Sequence, residues 1–375
     1  MKKVSAMNYS DLIEQIFGKK FKSIPQECCI QNHIVAALSN TNNFKNFKKE
    51  FKNRLIRLKD HFSSNPNNLK IIKDLIVKVA NDKNWRGAYA ELVAYDFFIK
   101  NSDYTINLDI TLPATESFAK EFGQRKDTNL DGCIDELYLY FDVKVLQDIP
   151  MNILNGIFDD VRKRINKNFT IIPEYDKSIN FSIFQQNHNQ LLEELVSTLK
   201  IEETTFIKSK VIDGLSYRLN FRGGTAIGTS EYSPYRHAQE LSGHFFEYGN
   251  KFLKKEKTLL VFVILPWFNS LITNFNDSNR IFYRSISRRF FCQFMHTKKM
   301  YKIINPKFKG NDTCFEITKK LSGILFLEDN IVAGSGINAF LYSNPNAQNP
   351  LDARIEDYFY IHNLSAYDNF YYDNY

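Results

Sequence analysis

Hydrophobic and polar residues alternate along residues 137–145, and this pattern predicts a β-strand. One face carries Leu137, Leu139, Phe141, Val143 and Val145, and the other carries Tyr138, Tyr140, Asp142 and Lys144. A period of two is typical of a strand with one side in the core. We therefore expect Asp142 and Lys144 to project side by side from the opposite face.

A helix is predicted upstream of this strand, over Asn81 to Asn101. Asp82 is a suitable N-cap for it. Its apolar face is formed by Trp85, Tyr89, Leu92 and Val93. Glu91 lies on the same side as the small residues Gly87, Ala88 and Ala94. Small residues there are expected to let the helix approach the edge of the sheet and to bring the Glu91 carboxylate close to it.

A second acid precedes the alternating strand. Asp131 stands beside Gly132 at the start of what is predicted to be the preceding hairpin strand. Two acids and a lysine at one edge of a sheet suit a hard divalent cation, because Mg²⁺ prefers oxygen ligands. Such an ion neutralises phosphoryl oxygens and lowers the pKa of a bound water. A nearby lysine can orient the water or stabilise the developing negative charge.

The residues Asp131 and Asp142-Val143-Lys144 resemble the D…(D/E)-x-K motif of the PD-(D/E)XK nuclease superfamily, which includes restriction endonucleases and repair nucleases. Many members carry a glutamate on the preceding helix, where this chain has Glu91. Leu130 stands at the position of the proline that gives the motif its name. The resemblance covers residues 81–145, so most of the chain is interpreted without it.

The resemblance implies a restriction-endonuclease-like α/β fold, a mixed sheet flanked by helices, with catalytic residues Glu91, Asp131, Asp142 and Lys144. Asp131 and Asp142, with Glu91 as a further ligand or orienting base, would hold Mg²⁺, for which Mn²⁺ is a possible substitute. It also implies that the protein hydrolyses phosphodiester bonds of DNA, as a restriction endonuclease or another anti-phage defence nuclease. The alternatives are an inactive nucleic-acid-binding or scaffolding protein of the same fold, an RNA-cleaving effector, and an unrelated α/β interaction protein. For the metal site, crowding of carboxylates predicts that Asp142→Ala stabilises the metal-free protein.

The remaining pattern predicts the domain organisation. Residues 1–80 form a helical accessory region, residues 81–345 the nuclease domain, and residues 346–375 an aromatic tail expected to dock on its own domain or a second subunit. The nuclease core comprises residues 81–170 and 256–345, with an insertion at about 171–255. The continuous apolar run Thr258 to Trp267 predicts a central parallel strand buried on both faces. Ser322 to Asp329 is expected to close the sheet as its last strand.

Two helices have basic surfaces that suit a phosphate backbone. Arg280, Arg284 and Arg288 recur every four residues on one helix and form the predicted nucleic-acid-binding stripe. Its opposite side carries Phe282, Ile286, Phe290 and Phe294. The other helix, from Phe44 to Phe62, carries Lys45, Lys48, Lys49, Lys52, Arg57 and Lys59 around an apolar face. A solvated basic face is the alternative for both, and a membrane surface is a further one for the second.

Composition agrees with an enzyme that acts on an anionic substrate. The 375 residues carry a net charge of +7, with 43% hydrophobic and 15% aromatic residues, enough for a large core. No apolar run reaches the ~20 residues of a membrane helix, and the first residues lack the apolar block of a secretory signal. The odd count of five cysteines without zinc spacing predicts reduced thiols and a cytoplasmic location. A homo-oligomer or a partner protein of a defence system is compatible with these features.

Overall fold

Helices and strands alternate through most of the chain in the computed structural model. The structure describes residues 7–18, 33–39, 44–80, 85–101, 103–124, 127–146, 149–165, 169–175, 179, 181–201, 205–221, 234–268, 276–351 and 353–358. Its helices are α1 (Met7–Phe17), α2 (His33–Ser39), α3 (Phe47–His61), α4 (Pro66–Val79), α5 (Trp85–Lys100), α6 (Ile149–Arg164), α7 (Phe181–Gln186), α8 (His188–Ile201), α9 (Pro234–Leu241), α10 (Asn276–Cys292), α11 (Tyr301–Ile304), α12 (Cys314–Thr318) and α13 (Ala353–Tyr358). Its strands are β1 (Ile106–Leu112), β2 (Thr128–Ile134), β3 (Leu139–Val145), β4 (Thr170–Tyr175), β5 (Phe206–Lys208), β6 (Leu215–Asn220), β7 (Lys257–Ile264), β8 (Gly323–Asp329) and β9 (Ile337–Ser343).

The larger of two sheets is mixed and has six strands, in the order β1-β2-β3-β7-β8-β9. The strands β1, β2 and β3 are antiparallel, and β7 runs parallel to both β3 and β8. Helices flank this sheet, so the chain has the mixed α/β architecture that the sequence predicts. The apolar run at 258–267 is confirmed as a central parallel strand, because residues 258–264 are all buried between two strands and two covered faces.

The prediction that residues 322–329 close the sheet is wrong. Strand β9 pairs antiparallel with β8 along its whole length and forms the edge instead. β8 is buried at every position because it has a strand on each side and helices on its faces. The sequence of β9 is harder to recognise as a strand, since only three of its seven residues are buried and its apolar residues do not alternate regularly.

Strand β3 differs from the prediction in two ways. It begins at Leu139 rather than Leu137, because Tyr138 adopts a left-handed backbone conformation with φ of 48° and ends a short 3-10 turn. Its second face is also covered: Asp142 is only 1% exposed. The cover is a 3-10 helix, Ser242–Lys251, which continues from α9. The apolar face of β3 packs on α5, where Phe141 contacts Phe98 with ring centroids 4.5 Å apart.

The chain divides into two compact units, residues 1–146 with 234–375 and residues 147–233. In the first unit, apolar residues of α1 to α4 pack into the same hydrophobic core as the large sheet. In α3 the apolar face is formed by Phe47, Phe51, Leu55 and Leu58, all buried. Helix α4 also protects the edge strand β1: the Asn68 amide donates to the Ile106 carbonyl and accepts from the Leu108 N–H.

The second unit has a core of its own and begins earlier than the predicted insertion at about 171–255. Helix α6, expected to belong to the nuclease core, contributes Leu154, Phe158 and Val161 to this separate core. They pack with α8 and with a three-stranded sheet in the order β4-β6-β5. The unit ends at 233, so α9 and the 3-10 helix after it belong to the first unit.

Of the helices in the described segments, none is long and apolar enough to cross a membrane. Cys133, Cys292 and Cys314 are free thiols. The other two cysteines, the Asp82 N-cap and residues 352 and 359–375 of the aromatic tail lie outside the described residues. Gly87 is exposed, with open space where a side chain would extend, so of the three small residues predicted beside Glu91 only Ala88 and Ala94 are buried.

Candidate active site

The four residues predicted to form the site come from three neighbouring elements. Glu91 lies on α5, Asp131 on β2, and Asp142 and Lys144 on β3. Strands β2 and β3 pair at residues 132–134 of β2. The neighbouring residue Asp131 is not part of this ladder. The site therefore lies where two hydrogen-bonded strands separate.

Gly132 makes the close approach of the two strands possible. A Cβ atom at this position would lie 2.3 Å from the Phe141 ring and 2.8 Å from the Asn107 carbonyl oxygen. At the adjacent residue, Asp131, a hydrogen bond to the side chain takes the place of the backbone ladder between the strands. Its Oδ2 accepts a hydrogen bond from the Val143 N–H at 2.5 Å. This bond holds the Asp131 carboxylate beside the chain segment that carries Asp142 and Lys144.

Helix α5 brings Glu91 to the site through a tyrosine. Tyr95 follows Glu91 by four residues, which places both on one side of the helix. The Tyr95 hydroxyl donates to the Asp131 carbonyl oxygen at 2.9 Å and lies 3.4 Å from Glu91 Oε2. The hydroxyl is therefore a bridge between the Glu91 carboxylate and the strand that carries Asp131.

Asp142 is buried between two ammonium groups. Lys144 Nζ lies 2.5 Å from Oδ2 of Asp142, and Lys251 Nζ lies 4.0 Å from Oδ1. Lys251 comes from the end of the 3-10 helix and also donates to the Asn129 carbonyl oxygen. The Lys144 ammonium lies 5.6 Å from the centre of the Tyr248 ring, which belongs to the same 3-10 helix.

Three acidic groups are crowded and largely buried at this site, and their proximity affects their protonation. Burial and the nearby Asp131 carboxylate raise the pKa of Glu91 to about 8, against the opposing effect of Lys78 and Lys144. Burial and the Asp142 carboxylate raise the pKa of Asp131 to about 6. Both acids therefore bind a proton more tightly than they do in water.

The site favours the charged form of Lys144, whereas it disfavours the charged forms of Glu91 and Asp131. Burial acts to lower the pKa of Lys144, but Asp142 and Asp131 outweigh that effect, and its pKa is raised. It therefore carries its positive charge at neutral pH. A charged ammonium can bind phosphate oxygens and stabilise an anionic transition state, but it has no free electron pair with which to accept a proton.

The donor types at this site fit a hard divalent cation. Glu91, Asp131 and Asp142 all offer carboxylate oxygens, which Mg²⁺ prefers. A cation among them would favour the ionised form of both acids whose pKa is raised. No group of three or more histidine, cysteine or acidic side chains arranged to hold a metal ion is found in the part of the chain that the structure describes. The fit rests on donor chemistry and charge.

The predicted arginine stripe lies elsewhere on the sheet. Arg280 is exposed, and Arg284 and Arg288 are half-buried. Their helix α10 packs on β9, where the Tyr342 hydroxyl donates to the Arg280 carbonyl. In the strand order, β7 and β8 separate β9 from β3, which amounts to about 14 Å across the sheet. The apolar stripe on the opposite side is buried as predicted.

Three residues at the site were not predicted: Tyr95, Tyr248 and Lys251. The spacing of four residues from Glu91 is a sequence signal that could have identified Tyr95. Nothing local indicates the other two, because they reach β3 from a segment more than one hundred residues later in the chain. Both residues lie on the segment where helix α9 ends at Leu241 and the chain continues as a 3-10 helix from Ser242.

Comparisons with models of known protein families, with curated proteins and with solved structures returned no match. The family resemblance therefore depends on the motif residues and on their arrangement described above.

Proposed function

We propose that this protein is a metal-dependent nuclease that hydrolyses phosphodiester bonds of DNA and has a restriction-endonuclease-like fold. One observation carries the proposal. Glu91, Asp131, Asp142 and Lys144 are separated along the chain, yet contacts through Tyr95 and the Val143 N–H join them where β2 and β3 separate. A decorative pair of surface charges would not require a buried aspartate or acids whose pKa is raised.

Each residue has a role in this proposal. Asp131 and Asp142 would hold Mg²⁺, or Mn²⁺ in its place, with Glu91 as a further ligand. When bound, the ion would neutralise charge on the phosphoryl oxygens and lower the pKa of the attacking water. Lys144 binds a phosphate oxygen or orients the water and stabilises the developing negative charge. Tyr95 positions Glu91 relative to Asp131.

The distribution of charge supports an anionic substrate. Residues 147–233 contain ten lysines and arginines against eleven acids, so the unit that carries the site has a net charge of +8. Exposed lysines of α3 and α4, such as Lys48 and Lys78, contribute to it. We propose DNA as the substrate and a restriction or other anti-phage defence system as the setting.

Cleavage assays test the proposal directly. Plasmid DNA, linear DNA and RNA are incubated with the protein in Mg²⁺, Mn²⁺ or EDTA, beside the variants Asp142→Asn and Lys144→Met. We expect cleavage of DNA with metal only, and a loss of about a hundredfold or more in each variant, because each removes charge that the transition state requires. Asp159→Asn is the matched control, since Asp159 is exposed and pairs with Arg162 on α6.

The pattern of products decides among the alternatives. A sequence-specific ladder indicates a restriction endonuclease, and general degradation indicates a defence or repair effector. Cleavage of RNA alone would replace DNA as the substrate. Metal-independent DNA binding without cleavage would identify an inactive protein of this fold, and undiminished cleavage by Asp142→Asn would refute the assigned site.

A further inference from the structure

The 3-10 helix Ser242–Lys251 lies over the face of the sheet that carries Asp142 and Lys144. In a 3-10 helix, residues three apart are stacked in the same direction. Phe245, Tyr248 and Lys251 have this spacing, and each contacts the sheet face or the site. Phe245 stacks on Phe262 of β7 with ring centroids 4.5 Å apart.

The second residue of this row continues the contact toward β3. Tyr248 meets the Phe262 ring edge to face at 6.0 Å, and its own ring lies 5.6 Å from the Lys144 ammonium. Phe262 lies directly opposite Lys144 in the register of the parallel β3–β7 ladder, so Tyr248 contacts paired residues of both strands. The aromatic contacts of Phe245 and Tyr248 hold the helix against the sheet. Its last residue, Lys251, therefore lies beside Asp142.

Lys251 is held at that end by two interactions. Its ammonium donates to the Asn129 carbonyl of β2 and lies 4.0 Å from Asp142 Oδ1. Its side chain is 25% exposed, the same fraction as that of Lys144. Asp142 thus has one ammonium near each carboxylate oxygen, and both lysine side chains remain partly exposed to solvent.

We propose that Lys251 is a second cationic contact for the phosphodiester of the substrate, on the other side of Asp142 from Lys144. This inference rests on the proposed nuclease function and deepens it, because it assigns a substrate-binding residue from outside the motif. Both lysine side chains remain partly exposed beside Asp142, so each can contact an anionic ligand as well as this carboxylate. Two fixed cations flanking one acid suit the several oxygens of a phosphodiester.

The test compares Lys251→Gln with Lys251→Arg. Glutamine removes the charge but retains an N–H group that can donate to the Asn129 carbonyl, and arginine retains the charge. Lys254→Gln is the control: Lys254 follows three residues later, is similarly exposed at 28%, and pairs with Glu121 at 2.7 Å. Circular dichroism and thermal unfolding establish that each variant is folded.

Binding is measured by fluorescence anisotropy of a labelled DNA duplex in Ca²⁺, and cleavage by steady-state kinetics in Mg²⁺. We expect Lys251→Gln to weaken DNA binding about tenfold or more, as expected for the loss of one charge-assisted hydrogen bond. The slope of log affinity against log salt should fall by about 1. Lys251→Arg should retain most of the affinity, and Lys254→Gln should retain nearly all of it.

The results separate this inference from the proposed function. If the unaltered protein cleaves DNA and folded Lys251→Gln binds with unchanged affinity and salt slope, Lys251 is structural and the inference is overturned. If Lys251→Gln loses affinity but no preparation cleaves DNA, the nuclease proposal fails while the phosphate contact stands. If the unaltered protein does not bind the duplex, both are overturned.

Discussion

Helix α5 takes part in two buried clusters of charged residues that differ in how their charges are balanced. One is the candidate site, here called the acid cluster, with Glu91, Asp131 and Asp142 beside Lys144 and Lys251. The other, the arginine network, consists of Arg54, Arg57, Tyr89, Asp96 and Asp329. Both contain acids and bases from distant parts of the chain, so the difference between them lies in pairing.

The arginine network is fully paired. Arg54 is only 3% exposed and bonds Asp329 at 2.6 Å, Asp96 at 3.2 Å and the Tyr89 hydroxyl at 2.9 Å. Arg57 forms two bonds of 2.8 Å with the same Asp96 carboxylate. Two arginines thus match two aspartates, and the pKa of Asp96 is lowered because the bonds from Arg57 and the charge of Arg54 outweigh burial.

The acid cluster lacks this balance. Three acids meet two lysines, both lysines lie nearest to Asp142, and the pKa of Glu91 and of Asp131 is raised. A balanced buried network serves the fold, whereas an excess of buried acids costs stability unless a cation joins them. The excess of acids in this cluster supports the proposed metal site.

The largest expected effect comes from breaking the balanced network. Arg54→Met should destabilise the protein by about 3–5 kcal/mol, because it removes the arginine that bonds the buried Asp329 and leaves Asp96 with Arg57 alone. Urea unfolding of the metal-free protein measures the loss. Lys49→Met on the same helix is the control: Lys49 is 79% exposed and 3.9 Å from Glu50, so we expect a change below about 0.5 kcal/mol. A loss at Arg54 no larger than this would remove the distinction between the clusters.

This network also shows what the sequence could not predict. The periodic apolar residues of α3, α5 and α10 predict those helices within a few residues, because helical spacing is a local property. The basic residues of α3 were predicted to suit a phosphate backbone, yet Arg57 is bound to Asp96. Arg54 pairs with Asp329, which lies 275 residues away, and no local pattern indicates such a partner.

Some features of the candidate site were likewise predictable from local sequence, and others were not. The alternation in β3 and the position of Glu91 on its helix were local signals; in the structure Glu91 is linked to Asp131 through Tyr95, and Asp131 bonds the Val143 N–H between Asp142 and Lys144. The 3-10 helix that covers the second face of β3 was not predictable, because residues 147–233 separate it from β3 along the chain. That cover buries Asp142, which alternation had placed on an open face.

The next effect should be a gain in stability at Glu91. The pKa of Glu91 is about 8 in the folded protein and 4.5 for the unperturbed group, so the folded state holds a proton that the unfolded state releases between these values. Stability from this group is therefore present below pH 4.5 and lost as the pH rises through 8. Glu91→Gln removes the dependence and should raise the unfolding free energy by about 1–3 kcal/mol at pH 9, with little change at pH 4.

The sequence predicted that removing the Asp142 carboxylate would relieve repulsion and stabilise the metal-free protein. From the structure we expect this gain at Glu91 instead. Asp142 is 2.5 Å from the Lys144 ammonium, so its removal would leave a half-buried cation without its nearest partner. Unfolding curves of Glu91→Gln and Asp142→Ala at pH 4 and pH 9 separate the two positions. Equal stabilisation at both pH values in Glu91→Gln would contradict a raised pKa at this residue.

The smallest expected effect is stabilisation by metal, and it links the acid cluster to its proposed function. At a Mg²⁺ concentration about tenfold above Kd, the ion should add about 1.4 kcal/mol to the unfolding free energy. Because Glu91 and Asp131 must lose their protons to bind a cation, apparent affinity should increase as the pH rises from 6 to 8, the pKa values of these two acids. Thermal unfolding with and without Mg²⁺ measures both effects.

Asp142→Asn should abolish the stabilisation, whereas Asp96→Asn, which alters the balanced network on the same helix as Glu91, should lower stability but preserve the response to Mg²⁺. A Mg²⁺ response that persists in Asp142→Asn would place the cation outside the acid cluster and make its excess charge a feature of the fold alone.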